Sequence, residues 1–523
     1  AIIFQRTRNY MHSGNTVQEP SMLGVGRGGK GLFGQQAVSA SAIVPMVKDL
    51  SAFSVMLDRG QATGLREGCE LREVSAVGKA EPDPKVRLQI TRLVGLDEAE
   101  ATVMSGARLE DVHRGDRFEV DKWITFTGAA LSVYVPPAAP PLDELLALAA
   151  SVKTAVGQLR LTWVVDPTRR VPDSAMRWNG RSWELRRAKG RTADLGAKPA
   201  AARLAAELKG ATGDFLLELP PPAEWLPTGL KLGDGTENAS IAVNTKSPAS
   251  AQYMLAGAWK GDQIEYTWLA PNLTQDALDR QLQHLNQANV PANVAMPLRT
   301  KPVKVAAGGS RPPYALTDYA LRLAKVRGWL LLEPPAETSM PFPYHLSLKE
   351  DSSGQYNATG TVVEDQSYHI VLQADPKTLD DFVERYKDAP HGVPKSFVYV
   401  FVIDSSGSGV LVFPRLEDNG VVNHLPAAQM GESKLTLPQE IPISTKLTIG
   451  EPFGVDSYML LTTATALGNP DVLNFAGPGG ARGAGGGALE SLLGGLGESR
   501  GIRIPTPSDW SIQRTFIHSV PKK

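Results

Sequence analysis

Short strand-like runs separated by glycine and proline turns are the feature that most limits how this chain can fold. Phe53–Leu57 alternates in polarity and ends at the turn Asp58–Gly60. Further strand candidates follow at close spacing, namely Val86–Thr91, Ala99–Met104 and Arg117–Val120. Many short strands with glycine turns are typical of small barrels and sandwiches. We therefore predict a small β-barrel over residues 37–135.

A proline-rich segment, Pro136–Pro141, marks the next boundary, because proline fixes φ and removes a backbone donor. Helices are predicted over Leu142–Val156, Ala200–Leu208 and Gln275–Asn289. Two β-hairpins are predicted between them. One pairs Met176–Trp178 with Ser182–Arg186 around Asn179-Gly180, and the other pairs Tyr253–Trp259 with Ile264–Trp268. This pattern predicts a mixed α+β middle domain over residues 136–305.

The last part of the chain, residues 306–523, begins with a helix predicted over Leu316–Arg327, where apolar residues recur at helical spacing. Strand candidates then dominate, with a hairpin of Phe397–Ile403 and Val410–Phe413 and later strands at Tyr458–Thr465 and Ser508–Ser519. We predict a β-sandwich-like domain here. Its glycine-rich loop, residues 477–501, is predicted to be a mobile excursion.

Length and composition fit several ordinary domains. The chain has 523 residues, of which 42% are hydrophobic and 21% charged, so each domain can bury a full core. The predicted fold class is mainly β with some α, a multi-domain α+β chain. The remaining residues 1–36 include the run Gly24–Gly31 and are predicted to be a connector, since they lack the apolar periodicity of a core.

Charge and hydropathy exclude several classes of partner. The net charge is -1, so no overall field favours nucleic acid, and we predict no nucleic-acid partner. No apolar run is long enough for a membrane-spanning helix. The single cysteine, Cys69, rules out an intramolecular disulfide and a cysteine-based metal cluster.

No catalytic or metal-ligating pattern emerges from the reactive side chains. Gly24–Lys30 matches a phosphate-loop spacing, but a core strand before it, a helix after it and the magnesium-binding hydroxyl are missing. Cys69 lies between two acids, a setting that disfavours a thiolate. None of the eight histidines has metal-ligand spacing to another, and Asp404–Gly409 is predicted to be a hairpin turn with at most weak cation affinity. We predict no catalytic residue, no metal ligand and no cofactor.

Aromatic side chains in the hairpins are the remaining candidates for function. Exposed aromatic residues on a sheet can bind peptide or glycan, whereas large aromatic residues are more often buried in cores. Both interpretations stay open from sequence. The candidate binding surface consists of Trp178, Trp183, Trp259, Tyr266 and Trp268.

Several segments resemble, in order, those that follow the catalytic domain in bacterial caspase-like proteases of the metacaspase and orthocaspase type. They run from the connector Val17–Gly34 through the barrel to the middle region and the C-terminal β-domain. The segments that carry the resemblance in the barrel are Leu57–Gly60, Gly64–Gly68 and Arg114–Asp116. Those in the later regions are Tyr253–Gly257, Glu265–Trp268, Pro297–Thr300, Leu323–Leu330, Phe342–Tyr344, Tyr399–Asp404, Val412–Pro414 and Gly450–Gly454.

The resemblance implies an accessory binding or regulatory region of a cysteine endopeptidase, itself non-catalytic. The family's His–Cys dyad and its Asp-x-Cys-His-Ser-like stretch have no counterpart here, and Cys69 does not align with them. The implied partner is a caspase-fold catalytic domain or chain, upstream or separate, together with a protein partner or substrate. The alternatives are a stand-alone β-rich binding or structural protein of a bacterial envelope or assembly, and an enzyme whose site is assembled from distant residues. A bacterial location is implied, with cytoplasm and periplasm both open.

Overall fold

A computed structural model gives the fold of the chain and describes residues 43–522 with interruptions. Besides short breaks, the interruptions are 74–85, 105–110, 123–129, 226–240, 281–293, 306–311, 335–341, 415–422 and 479–509. The connector 1–36 lies outside the described residues, as do most of Gln275–Asn289 and most of the loop 477–501. In the described part strands far outnumber helices, which confirms the fold class mainly β with some α.

Six antiparallel strands close into the predicted small barrel, in the order β1-β2-β5-β4-β3-β6. Along each strand alternate side chains point inward, so Leu88 and Ile90 are buried whereas Arg87 is exposed. The inward side chains form a hydrophobic cluster of their own. The strands are β1 (Ile43–Asp49), β2 (Ser54–Leu57), β3 (Glu70–Glu73), β4 (Arg87–Val94), β5 (Glu98–Val103) and β6 (Arg117–Lys122).

The middle region contains two five-stranded sheets. The first has the strand order β11-β10-β9-β12-β8, and the second has the order β13-β7-β14-β15-β16. Their strands are β7 (Leu131–Tyr134), β8 (Thr162–Val164), β9 (Ser174–Trp178), β10 (Trp183–Arg187), β11 (Thr192–Gly196), β12 (Asp214–Glu218), β13 (Ile241–Asn244), β14 (Tyr253–Lys260), β15 (Gln263–Leu269) and β16 (Val303–Val305). Helices α1 (Leu142–Gln158) and α2 (Ala201–Glu207) pack with the first sheet, and β7 pairs with the second sheet rather than with the barrel.

Both predicted hairpins of the middle region form as antiparallel pairs, β9 with β10 and β14 with β15. Asn179 accepts hydrogen bonds through its side chain from the backbone N–H groups of Arg181 and Ser182. Gly180 has a φ of +100°, a conformation that a side chain disfavours. The Asn-Gly pair therefore sets the first turn as its sequence predicts.

The two middle sheets meet where Leu219, just after β12, pairs with Gly257 in β14 through two backbone hydrogen bonds. A β-carbon at Gly257 would lie 2.5 Å from the Leu219 carbonyl oxygen and 2.6 Å from the ring of Tyr266. Only glycine permits this approach of one backbone to another. The junction fixes the outward faces of β12 and of the β14–β15 hairpin beside each other.

The C-terminal region begins with the long helix α3 (Pro312–Leu330) and continues with two main sheets and a short pair. One sheet has the order β17-β19-β25 with β26 beside β19, and the other has the order β18-β28-β27-β20-β21 with β22 beside β20. Their inner faces enclose one hydrophobic cluster, as in a sandwich. The strands are β17 (His345–Glu350), β18 (Thr361–Val363), β19 (Ser367–Gln373), β20 (Ser396–Ile403), β21 (Gly409–Phe413), β22 (His424–Leu425), β23 (Gln429–Met430), β24 (Leu435–Thr436), β25 (Glu440–Pro442), β26 (Leu447–Thr448), β27 (Gly454–Thr463) and β28 (Trp510–Val520).

Strand β20 is buried on both of its faces. Val398 and Val400 point into the sandwich cluster, whereas Tyr399 and Phe401 point into a second cluster formed by α3 and the middle sheets. Phe401 meets the ring of Trp329 of α3 edge-on, with the ring centres 4.9 Å apart. A strand covered on both faces needs a continuous apolar run, which Phe397–Ile403 supplies. One large cluster consequently runs from the middle sheets into the C-terminal region.

The sequence analysis did not assign helix α4 (Pro376–Tyr386), which follows β19. Its signals are local: Asp375 is the N-cap, its side chain accepts a hydrogen bond from the Thr378 backbone, and Pro376 occupies the first turn. Leu379, Phe382 and Val383 are buried. Helix α4 therefore packs its apolar face on the sandwich.

We expect Gly257→Ala to destabilise the chain by about 1–3 kcal/mol, because the new methyl group would overlap a backbone oxygen that cannot move away. The matched control is Gly157→Ala in α1, where a β-carbon would meet nothing within 4 Å. Alanine favours a helix over glycine by about 1 kcal/mol, so the control should be neutral or stabilising. Denaturant unfolding of both variants measures the difference, and equal stability of the two would contradict the tight junction.

Lys325 of α3 places its Nζ 4.4 Å from the centre of the Phe475 ring. Burial, with a smaller contribution from the nearby Arg322, lowers the pKa of Lys325 to about 7. The unfolded chain therefore holds this proton up to about pH 10, whereas the folded chain releases it near neutrality. The free energy of unfolding should therefore rise with pH between about pH 7 and pH 10, as the folded chain loses the proton of Lys325.

Lys325→Met should raise stability at pH 7 by about 1 kcal/mol or more, since one pKa unit corresponds to about 1.4 kcal/mol. It should also flatten the rise in stability between about pH 7 and pH 10. Lys153→Met, at an exposed position of α1, is the control and should change neither quantity. Urea melts over that pH range test this, and an unchanged slope in Lys325→Met would count against a buried amine.

Candidate functional site

The five aromatic residues of the predicted binding surface lie in or against the core. Trp183, Tyr266 and Trp268 are at most 1% exposed, and Trp259 is 6% exposed. Trp178 is half-buried, and its ring centre lies 5.5 Å from that of Trp183. These side chains therefore do not form an exposed binding surface, because each points from its strand toward the cluster between the sheets.

The polar atoms of the buried aromatic residues hold loops in place. Trp268 donates its indole N–H to the Leu316 carbonyl oxygen at 2.8 Å, and Tyr266 donates its hydroxyl to the Pro220 carbonyl oxygen at 2.9 Å. The hydroxyl of Tyr253 donates to the Pro297 carbonyl oxygen. Buried aromatic side chains with a polar end usually find such partners. Their role in this structure is to tie α3 and the segments after β12 and before β16 to one hairpin.

Neither of the other reactive features found in the sequence is available for chemistry. Cys69 is fully buried in the barrel core, so its thiol has no access to a substrate. The carboxylate of Asp404 accepts hydrogen bonds from the backbone N–H groups of Ser406 and Ser408, and from the Ser406 hydroxyl. The loop Asp404–Gly409 is thus a hairpin turn whose carboxylate is hydrogen-bonded within the loop, as its composition predicts.

A cleft opens on the outward side of the junction between the two middle sheets, and we call it the Glu218 cleft. Its walls are the outward residues of β12, the loop after β8, the outward residues of the β14–β15 hairpin, and Arg299. Three carboxylates and one guanidinium lie among these residues. The lining consists of Val165, Asp166, Pro167, Leu216, Glu218, Met254, Ala256, Gly257, Ala258, Glu265, Thr267, Leu269 and Arg299.

Strand register explains why small and polar residues line this cleft. In the β14–β15 hairpin, Ala256 lies opposite Thr267 and Ala258 lies opposite Glu265. All four point away from the aromatic core, because side chains alternate between the faces of a strand. The two alanines leave the cleft open, while Thr267 and Glu265 supply polar atoms although each is only 5% exposed.

Glu218 is the least satisfied charged group of the cleft. It is half-buried, and its carboxylate has no hydrogen bond or ion pair with any residue in the described part of the chain. Burial raises the pKa of Glu218, and the guanidinium of Arg177, its neighbour across the strands, offsets this in part. Burial raises the pKa of the nearby Tyr134, and the charge of Glu218 adds to that rise. A carboxyl group with a raised pKa in a cleft is typical of functional sites.

The neighbouring carboxylates are held by partners of their own. Asp166 forms an ion pair with Arg299 and accepts hydrogen bonds from the backbone N–H and hydroxyl of Thr168, at 3.0 and 2.6 Å. Glu265 lies 3.6 Å from the Nζ of Lys260. The loop after β8 is therefore fixed to the second sheet, and Glu218 remains the group with spare hydrogen-bonding capacity.

Size limits what the cleft can accept. Its internal volume is about 40 Å³, whereas sites for small-molecule substrates run to about 300–1,000 Å³. Within the described residues no cluster of three or more His, Cys, Asp and Glu side chains is arranged to hold a metal ion. None of the helices described here is both long and apolar enough to cross a membrane. The cleft fits one side-chain head group or a few water molecules, and its chemistry is hydrogen bonding and charge.

Sequence reasoning missed this site because its members are far apart in the chain and carry no local motif. The only available signal was the alternation in Ala256, Ala258, Glu265 and Thr267, where small and polar residues interrupt an otherwise apolar hairpin. Such residues on one face predict a face that is not core. The partner wall at Glu218 could not be assigned without the pairing between β12 and β14.

No protein-family model matches this chain, and no curated protein matches it.

Glu218→Gln should stabilise the chain at pH 8, by about 1 kcal/mol, the common size of a point-mutation effect. The folded state holds the Glu218 proton to a higher pH than the unfolded state. The unaltered chain therefore loses stability as pH rises from about 4.3 through the raised folded pKa of Glu218. Near pH 4 the carboxyl is protonated in both states, so the stabilisation by Glu218→Gln should vanish there. Urea melts at the two pH values measure it, with Glu207→Gln in α2, an ion-paired glutamate outside the cleft, as the control.

Proposed function

We propose that this chain is the accessory, non-catalytic region of a bacterial caspase-like cysteine endopeptidase. It would act by binding, positioning a substrate or partner and contacting a caspase-fold catalytic domain or chain. The observation that carries this proposal is the convergence of the segments that resemble the family. Tyr253–Gly257, Glu265–Trp268, Pro297–Thr300 and Leu323–Leu330 all meet around one buried cluster.

The contacts between these segments are informative because each segment alone resembles the family only over a few residues. Thr300 accepts a hydrogen bond from the Trp268 backbone and donates its own N–H to the Trp268 carbonyl oxygen, at 3.1 and 3.0 Å. The ring contact of Trp329 with Phe401 joins Leu323–Leu330 to one further matching segment, Tyr399–Asp404. These residues are the framework of a fold rather than a catalytic set, as expected of an accessory region.

The buried thiol gives separate support for a non-catalytic role. A cysteine nucleophile must be a thiolate that the substrate can reach, with a base within hydrogen-bond distance. Cys69 is 0% exposed in a barrel core, so this chain would need its nucleophile from a catalytic partner. A stand-alone β-rich binding protein is the second candidate, favoured by the Glu218 cleft, which supports binding with no reference to a protease.

The purified chain should cleave neither casein nor fluorogenic peptides, and Cys69→Ala should leave this result unchanged. Added to the caspase-fold protein encoded with it, the chain should co-elute on size exclusion and change the peptidase kcat/KM by about fivefold or more, about 1 kcal/mol. Cys69→Ala serves as the matched control and should act as the unaltered chain does.

Absence of a complex and of any effect on kcat/KM would contradict the accessory role and leave the stand-alone binding protein. Peptide cleavage by the isolated chain that survives Cys69→Ala would instead support an enzyme with a site built from distant residues.

A further inference from the structure

The Glu218 cleft has features that indicate a ligand-binding site rather than a simple gap between two packed sheets. Three carboxylates and one guanidinium line it, so the lining has an excess of two negative charges when all are ionised. Thr267 is 95% buried, lines the cleft, and its hydroxyl makes no hydrogen bond with any described residue.

The Glu218 carboxylate and the Thr267 hydroxyl indicate the chemistry of a ligand. The Glu218 carboxylate has only acceptor capacity when ionised, and the Thr267 hydroxyl can accept as well as donate. A ligand that satisfies both must bring N–H or O–H donors. A positive charge on that ligand would also recover the free energy lost when the Glu218 carboxylate was removed from water.

Size and shape then restrict the ligand to one side chain. The cleft holds about 40 Å³, enough for a guanidinium or ammonium head group but not for a metabolite. Ala256, Gly257 and Ala258 line it with small residues, and Met254 and Leu269 add apolar lining. Arginine and lysine side chains have this form, a methylene stem that ends in a charged donor group.

We propose that the Glu218 cleft is a receptor for the cationic side chain of an arginine or lysine residue presented by a partner protein. This inference does not depend on the protease assignment, since it rests on the cleft alone. The charged groups already facing the cleft leave room for it. Arg299 and Arg169 are engaged with Asp166, and Lys260 with Glu265. Among the described residues, Arg177 is the cation that acts on Glu218.

Proton release gives a readout that separates cation binding from a change in folding. A bound cation favours the ionised carboxylate, so binding lowers the pKa of Glu218 and releases its proton at pH values below the folded pKa of the free chain. Tyr134, which also faces Glu218, stays protonated at these pH values. The proton count follows from the binding enthalpy measured in buffers of different ionisation enthalpy.

The test is isothermal titration calorimetry of the whole chain at a series of pH values from about 4 to 8, because proton release is expected below the raised folded pKa of Glu218. The probes are acetylated, amidated tripeptides with arginine, lysine or glutamine between two glycines. We expect binding of the arginine or lysine peptide in the millimolar range, about tenfold or more tighter than the glutamine peptide, with proton release. The comparison of arginine with lysine identifies which cation the cleft prefers.

Matched variants locate the binding. Glu218→Gln should weaken binding of the cationic peptide about tenfold and abolish proton release, and Thr267→Val, which keeps the shape, should weaken it about threefold. Glu207→Gln, a carboxylate of α2 outside the cleft, should change neither value. Circular dichroism spectra and unfolding curves show whether each variant is folded.

Three results would overturn the proposal: no binding of either cationic peptide at 10 mM (about −2.7 kcal/mol at that limit), equal binding of the glutamine peptide, or full binding and proton release in folded Glu218→Gln. The first would mean that the cleft holds only water, the second that binding does not require the cationic group, and the third that the peptide binds elsewhere on the chain. A failure here leaves the protease experiment untouched, because that experiment measures a complex and a rate on another chain.

Discussion

The rest of the structure depends on the burial of the β20–β27 pair on both of its faces. Tyr458 and Leu460 of β27 point into the sandwich, while Met459 and Leu461 point toward α3 and the middle sheets. At about 25 cal/mol per Å² of apolar surface removed from water, a strand with two buried faces contributes more than any edge strand can. The position of α3, and through Trp268 that of the second middle sheet, follows from this pair.

A core arranged in this way determines where polar residues can lie. The second middle sheet covers the cluster with its aromatic face, so its other face, with Ala256, Glu265 and Thr267, must lie on the outside. Gly257 then allows the first sheet to approach, and the outward face of β12 brings Glu218 to the same place. The cleft is thus a consequence of how the sheets join.

Much of the fold could be predicted from local patterns, because hairpins with Asn-Gly or glycine turns and alternating strands are specified by near neighbours. The hairpins around Gly180 and Gly261 formed as their sequences indicate. The orientation of the aromatic side chains could not be predicted in the same way. Alternation shows that Trp259, Tyr266 and Trp268 share a face, but which face is buried depends on α3, which follows much later in the chain.

The Glu218 cleft contrasts with sites where polar groups find partners inside the fold. The Tyr266 hydroxyl donates to the Pro220 carbonyl oxygen, and the Asp404 carboxylate is hydrogen-bonded within its own loop. At the cleft a carboxylate and a nearly buried hydroxyl remain without partners, although a leucine and a valine would fit the strand pattern and cost less. Groups that lower the stability of a free chain are commonly kept where a ligand recovers the free energy. The energetic cost at this concave place therefore favours binding by this face of the molecule.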